Sequence, residues 1–319
     1  MSKKVVLWII AAITAAVGII IFVITMTALS WDFSRLSTIE FETSAYDITD
    51  SFDDVRILVN TSDVTVLPAE DGKTSVVVYE HTKVRHEVSV EDGSLKISFV
   101  DTRSWYDFIG FSFTSPSVTV YLPEERLGML TVKGSTGKVE IAKDVAFNAI
   151  GVSVTTGDVQ CFASASNIDL KTTTGDVYLS GASANILSIS STTGDITAQE
   201  LSVKGSLNAT VSTGAASLSD VECGSFAFTG GTGDITMTRL ISNGALSCVL
   251  STGDVIFDHS DAEEIAVTTS TGDVTGTLLS SKYFITHLTT GLKRVPETTE
   301  GGFCEITVTT GNIFIDVVN

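Results

Sequence analysis

Two patterns of apolar and polar positions divide this chain. Residues 5–29 form an unbroken run of Val, Ile, Ala, Leu and similar residues that carries no charge. Beyond residue 126, apolar positions alternate with Ser, Thr, Lys, Gln and Asp. The run predicts a helix, because 25 residues at about 1.5 Å each reach about 37 Å and can cross a hydrocarbon core of about 30 Å with some tilt. The alternation has period 2 and predicts short β-strands with one buried face.

The alternating region repeats. A Thr-Gly pair ends at Gly137, Gly157, Gly175, Gly194, Gly214, Gly233, Gly253, Gly272, Gly291 and Gly311, at spacings of 18–20 residues. Counted from each Gly, apolar side chains recur seven and five residues before and two and four residues after, as Leu187, Ile189, Ile196 and Ala198 do around Gly194. Each copy therefore carries two strands joined by a turn. A two-strand unit cannot bury its apolar face alone, but copies stacked about 4.8 Å apart align equal columns into one core. The predicted fold is all-β: a β-solenoid (β-helix) with coils of about 19 residues and strands on two or three sides. A propeller needs blades of about 40–50 residues, which the near-uniform spacing does not support. Cys161, Cys248 and Cys304 fall in the inward columns, and Cys223 takes the place of Val203 in the neighbouring copy. No two share a column, so all four read as small buried hydrophobes rather than disulfide partners.

The amino-terminal part is less regular. Residues 55–59, 64–67, 75–79, 87–90, 95–99 and 118–122 read as strands, and Thr61-Ser62-Asp63-Val64 looks like a worn Thr-Gly-Asp-Val turn. The organisation expected is a cytoplasmic stub and transmembrane anchor at 1–31, an acidic spacer at 32–54, a β region at 55–125 that caps the solenoid, and the solenoid itself at 126–319. Segments 57–68 and 118–123, followed by the Thr-Gly-Asp-Val repeats, resemble the bacterial β-strand-repeat family grouped as candidate adhesins of unknown function. The resemblance spans roughly residues 50–319. It implies a membrane-anchored envelope protein, in a family some of whose members lie near envelope-stress regulators, and it implies no mechanism. The chain departs from the pattern at Lys138, Ala215 and Leu292, where Asp is missing after Gly.

Charge sharpens the picture. The formal net charge is −19, and only Lys3 and Lys4 are charged before Asp32. The positive-inside bias then places the N-terminus in the cytoplasm and the repeats outside, with Trp8 and Trp31 near the two interfaces. A cleaved signal peptide would have an apolar core of about 7–15 residues and a small-x-small site, for which Met26-Thr27-Ala28 is a poor match. So acidic a surface repels phosphate backbones, and nucleic acid is excluded as a partner.

Three features could carry binding. Asp158, Asp176, Asp195, Asp234, Asp254 and Asp273 follow the turn glycines and would stack. They either accept hydrogen bonds from turn amides or form a ladder for Ca²⁺, the one cofactor the pattern suggests. A Thr precedes every turn Gly, giving a hydroxyl face that either pairs along the stack or meets cell-wall or surface glycan. Trp105, Tyr106, Phe108, Phe111 and Phe113 form the densest aromatic cluster, which either covers the open end of the solenoid or contacts an envelope protein or the bilayer. The four His are scattered, and no nucleophile elbow, zinc spacing or phosphate loop is present, so catalysis is not expected. A glycan-active β-helix enzyme using paired Asp is the alternative. The final coil ends at Ile315, Val317 and Val318 without a visible cap, which suggests end-to-end self-association.

Overall fold

The computed structural model describes residues 2–32, 40–105 and 114–318. Helix α1 (Lys3–Ala28) starts at Ser2, whose hydroxyl accepts the Val5 N–H. It is long and apolar enough to cross a membrane. The hydroxyls of Thr14 and Thr27 donate to the carbonyls of Ile10 and Val23, so neither faces the apolar surroundings unsatisfied.

The remainder is strand: β1 (Phe41–Asp47), β2 (Asp54–Val59), β3 (Asp63–Pro68), β4 (Ser75–His81), β5 (Val84–Glu91), β6 (Ser94–Asp101) and β7 (Ser117–Leu122) precede the repeats. The repeats begin with β8 (Leu127–Thr136), β9 (Val139–Ile141), β10 (Phe147–Thr156), β11 (Val159–Cys161), β12 (Asn167–Thr174), β13 (Val177–Ser180), β14 (Ser183–Ala184) and β15 (Ile186–Thr193). Four long strands follow, β16 (Ile196–Thr213), β17 (Ala216–Thr232), β18 (Ile235–Thr252) and β19 (Val255–Thr271). The chain closes with β20 (Val274–Leu278), β21 (Lys282–Thr290), β22 (Lys293–Arg294), β23 (Gly302–Thr310) and β24 (Ile313–Val317).

Successive coils pair in parallel, like position on like position. Leu187 lies opposite Leu207, which lies opposite Phe226, then Leu246, then Ile265. This is the solenoid that the alternation predicts. The four expected columns are buried in nearly every coil; Cys161, Cys248 and Cys304 sit in them and Cys223 opposite Val203, all four as buried free thiols. Two further sets of inward positions complete each coil. One, three residues before the Gly, mixes Val154, Thr172, Ser191, Val211 and Leu250. Its polar members are satisfied: the hydroxyls of Thr172 and Ser191 donate to the carbonyls of Gly157 and Gly175. The other forms a third side, exemplified by Leu201 and Val203. The corner leading to it is left-handed at Glu200, Asp220, Arg239 and His259, with φ of 51–55°.

The turn glycines are required twice over. Gly194 has φ +137°, and a Cβ there would lie 2.1 Å from the carbonyl oxygen of Gly175 in the adjacent coil. No L side chain fits that position.

Chain order and stacking order differ at both ends. Strand β2 lies between β6 and β8, and β3 lies between β7 and β9. The layer β6–β7 is therefore outermost although it comes later in sequence. Its edges are covered by β5, antiparallel to β6, and by β4, antiparallel to β7 and to β1. Segment 32–54, expected as a spacer, thus contains a strand, and Tyr46, Ile48 and Phe52 pack on the core. Glu42, Thr43, Ser44 and Asp47 make that strand look like a linker in the sequence. At the other end, β23 lies between β19 and β21, and β24 lies between β20 and β22. The final segment is consequently an inner coil rather than an exposed one. The expectation of an open final coil is corrected: the loop containing Pro296 turns the chain back, and the copy around Gly291 ends the stack. That copy is the one with polar residues, Thr286 and Lys293, in otherwise apolar columns, as suits a layer facing solvent.

Candidate functional site

The six aspartates are brought together as a ladder along the turns. In each case the carboxylate accepts the backbone N–H at the same position of the adjacent coil. Asp158 Oδ1 accepts from Asp176 N at 2.9 Å, Asp176 from Asp195 at 2.8 Å, and Asp195 from Ala215 at 2.7 Å. Asp234 accepts from Asp254 at 2.8 Å and Asp254 from Asp273 at 2.7 Å. Asp273 accepts from Asn312, and the Asn312 side-chain oxygen accepts from Leu292. The worn turn obeys the same rule, since Asp63 Oδ1 accepts from Lys138 N at 2.8 Å. The departure at Leu292 now has a cause. Among the described residues no coil lies beyond it, so no amide there needs an acceptor. Among the described residues, no group of three or more His, Cys, Asp or Glu side chains is placed to hold a metal ion.

The threonines before the glycines also form one column, Thr174 opposite Thr193, Thr193 opposite Thr213, and so on to Thr310 opposite Thr290. All are exposed. Of the aromatic cluster, Trp105 is 78% exposed, while Tyr106, Phe108, Phe111 and Phe113 lie outside the described residues. The buried thiols are chemically quiet: burial pushes Cys161, Cys248 and Cys304 up to about 12 and Cys223 up to about 11.

One groove on the flank combines these groups with an aromatic ring. It has a volume of about 270 Å³ and is lined by Asp158, Asp176, Asp195, Gln160, Tyr178 and Thr197. The register places Gln160 opposite Tyr178 and Tyr178 opposite Thr197, so the three stand in a row on the outer face. Tyr178 is held from two sides: its ring lies 5.7 Å from that of Phe162, and its hydroxyl donates to Gln199 Oε1 at 3.3 Å. Carboxylates, an amide and a fixed phenol ring therefore share one shallow surface. The aspartates were legible in the sequence, but Tyr178 was not singled out. The signal was available: an aromatic residue stands at an outward position that most copies fill with polar residues such as Gln160, Thr197, Ser217 or Thr236, and that Phe314 also makes aromatic near the C-terminus.

A profile of the Toastrack DUF4097 family matches residues 52–214, half of the chain, from the second strand into the long repeats. The chain belongs to the Toastrack DUF4097 family. The match begins close to β2 and so treats the cap and the first regular coils as one unit. No curated protein matches the chain. Among solved structures it is similar to a candidate lipid-binding protein from Parabacteroides distasonis, at 14% identity over 89% of this chain and 98% of that one, with a TM-score of 0.49. It is also similar to a candidate adhesin from Bacteroides fragilis, at 14% identity over 87% of this chain and 97% of that one, with a TM-score of 0.33.

Proposed function

We propose that this Toastrack protein is a surface protein of the cell envelope whose solenoid flank acts by binding and not by catalysis, held by α1 with its N-terminus in the cytoplasm. Its solenoid stands outside the membrane and binds cell-wall or surface glycan along the flank. The observation that carries this reading is the groove at Tyr178. Sugars present an apolar ring face and an equatorial set of hydroxyls, and a braced aromatic ring beside carboxylate and amide acceptors matches both. The neighbouring turns repeat their hydroxyl and carboxylate groups at coil spacing, so a polymer can extend beyond one groove. The anchor reading rests on the length and apolarity of α1 and on Lys3 and Lys4 preceding it.

The test is co-sedimentation of the full chain, in detergent, with insoluble cell-wall polysaccharide. Retention is expected for the unaltered protein and a drop of at least fivefold for Tyr178→Ala. Absence of retention, or equal retention of the two proteins, overturns the glycan reading.

A further inference from the structure

A separate constellation lies in the amino-terminal cap. Ser62 occupies the turn between β2 and β3, at the position that Gly holds in the later turns. Those glycines are imposed by the turn stacked against them. Against Ser62 stands the β6–β7 layer. Ser62 is 4% exposed, and its Oγ lies 3.4 Å from Nε2 of His86, on β5. On the far side of the ring, His86 Nδ1 lies 2.8 Å from Oε2 of Glu80, on β4. The same carboxylate oxygen accepts the His86 backbone N–H. Both side chains are almost fully buried, at 1% and 2% exposure.

In the tautomer with its hydrogen on Nδ1, the imidazole donates to Glu80 and turns the Nε2 lone pair to the Ser62 hydroxyl. That is the polarity of a serine nucleophile, a general base and an orienting acid. A cavity of about 150 Å³ adjoins the pair and is lined by Ser62, His86, Asn60, Thr61 and Phe99 among others.

We infer that the cap holds an acyl-transfer site, with Ser62 as nucleophile, His86 as general base and Glu80 as positioning residue, acting on short-chain acyl esters. The cavity volume sets the class, since it admits an acyl group of a few carbons and no long chain. Ser62 Oγ attacks the ester carbonyl carbon while its proton passes to His86 Nε2. The carbon–oxygen bond to the alcohol breaks, and the alcohol leaves with that proton. Water then attacks the acyl-Ser62 ester and gives a proton to Nε2. The carboxylic acid departs, and Ser62 recovers its hydrogen. Asn60, on the same cavity wall, supplies an amide donor of the type that stabilises the oxyanion. This activity is independent of the glycan-binding flank.

The full chain in detergent is treated with a fluorophosphonate probe, mapped by peptide mass spectrometry, and assayed for p-nitrophenyl acetate turnover. One adduct on Ser62 is expected. Turnover should fall at least a hundredfold in Ser62→Ala and in His86→Asn, consistent with the contribution of a general base. Failure of wild-type Ser62 to label, or turnover within threefold of Ser62→Ala, overturns the assignment. Should His86→Asn not fold, the comparison of wild type with Ser62→Ala, checked by circular dichroism, decides the question alone.

Discussion

Replacing Asp176 by Ala sets two comparable effects against each other. Asp176 Oδ1 accepts the Asp195 N–H at 2.8 Å, and a hydrogen bond to a charged acceptor contributes about 1.5–3 kcal/mol. Asp176 also stands between Asp158 and Asp195, each about one strand spacing away. Two like charges about 4.8 Å apart repel by about 0.9 kcal/mol in water, or about 1.7 kcal/mol for both neighbours. At low salt the variant therefore loses only about 0–1 kcal/mol. At 1 M salt the screening length is about 3 Å and the repulsion falls to about a fifth, so the loss grows to about 1–3 kcal/mol. The assay is denaturant unfolding of the full chain in detergent at 0.05 and 1 M NaCl. Ala215→Asp is the reverse perturbation, because Ala215 offers no side-chain acceptor to the amide of Asp234 in the next coil. It should be near neutral at low salt and stabilising at high salt. If Asp176→Ala is as stable as the unaltered protein at 1 M NaCl, the carboxylate–amide ladder contributes nothing and the reasoning fails.

Two further substitutions test the packing. Gly194→Ala places a Cβ 2.1 Å from the Gly175 carbonyl oxygen at φ +137°. It should cost about 3 kcal/mol or more, whereas Gly181→Ala, at φ +67° with nothing within 4 Å, should cost about 1 kcal/mol; unfolding midpoints compare the two. Lys282 Nζ lies 2.7 Å from Asp261 Oδ1 and is buried, so Lys282→Ala leaves an unpaired carboxylate and should cost about 3–5 kcal/mol. Hydrogen exchange should show the loss first in β21.

The solenoid was legible because its signal is redundant. One column of apolar residues is ambiguous, but four columns repeated around ten glycines are not. The inward column holding Thr172, Ser191 and Leu250 escaped notice because its polar members bond to turn carbonyls, which hydropathy cannot register. The stacking order at the ends was hidden for a different reason. Self-similarity fixes what a coil looks like but not which coil it lies beside, and parallel pairing accepts any neighbour of matching pattern. Thr286 and Lys293 were the clue to the terminal layer, yet in sequence they read as irregularities. The cap cluster was illegible because Ser62, Glu80 and His86 come from three elements joined only by the fold.

The crossed order at both ends bears on how the protein withstands force. A pull on the membrane tether enters through β1 and then β2, and β2 is gripped by a neighbour on each side. A pull on the far terminus enters through β24, which is likewise held between β20 and β22. Strand β1 is paired on one side only, to β4, and detaches first. Beyond it the load must shear two parallel ladders together at β2 and at β24, so a solenoid pulled from both ends should yield abruptly at high tension rather than unspool.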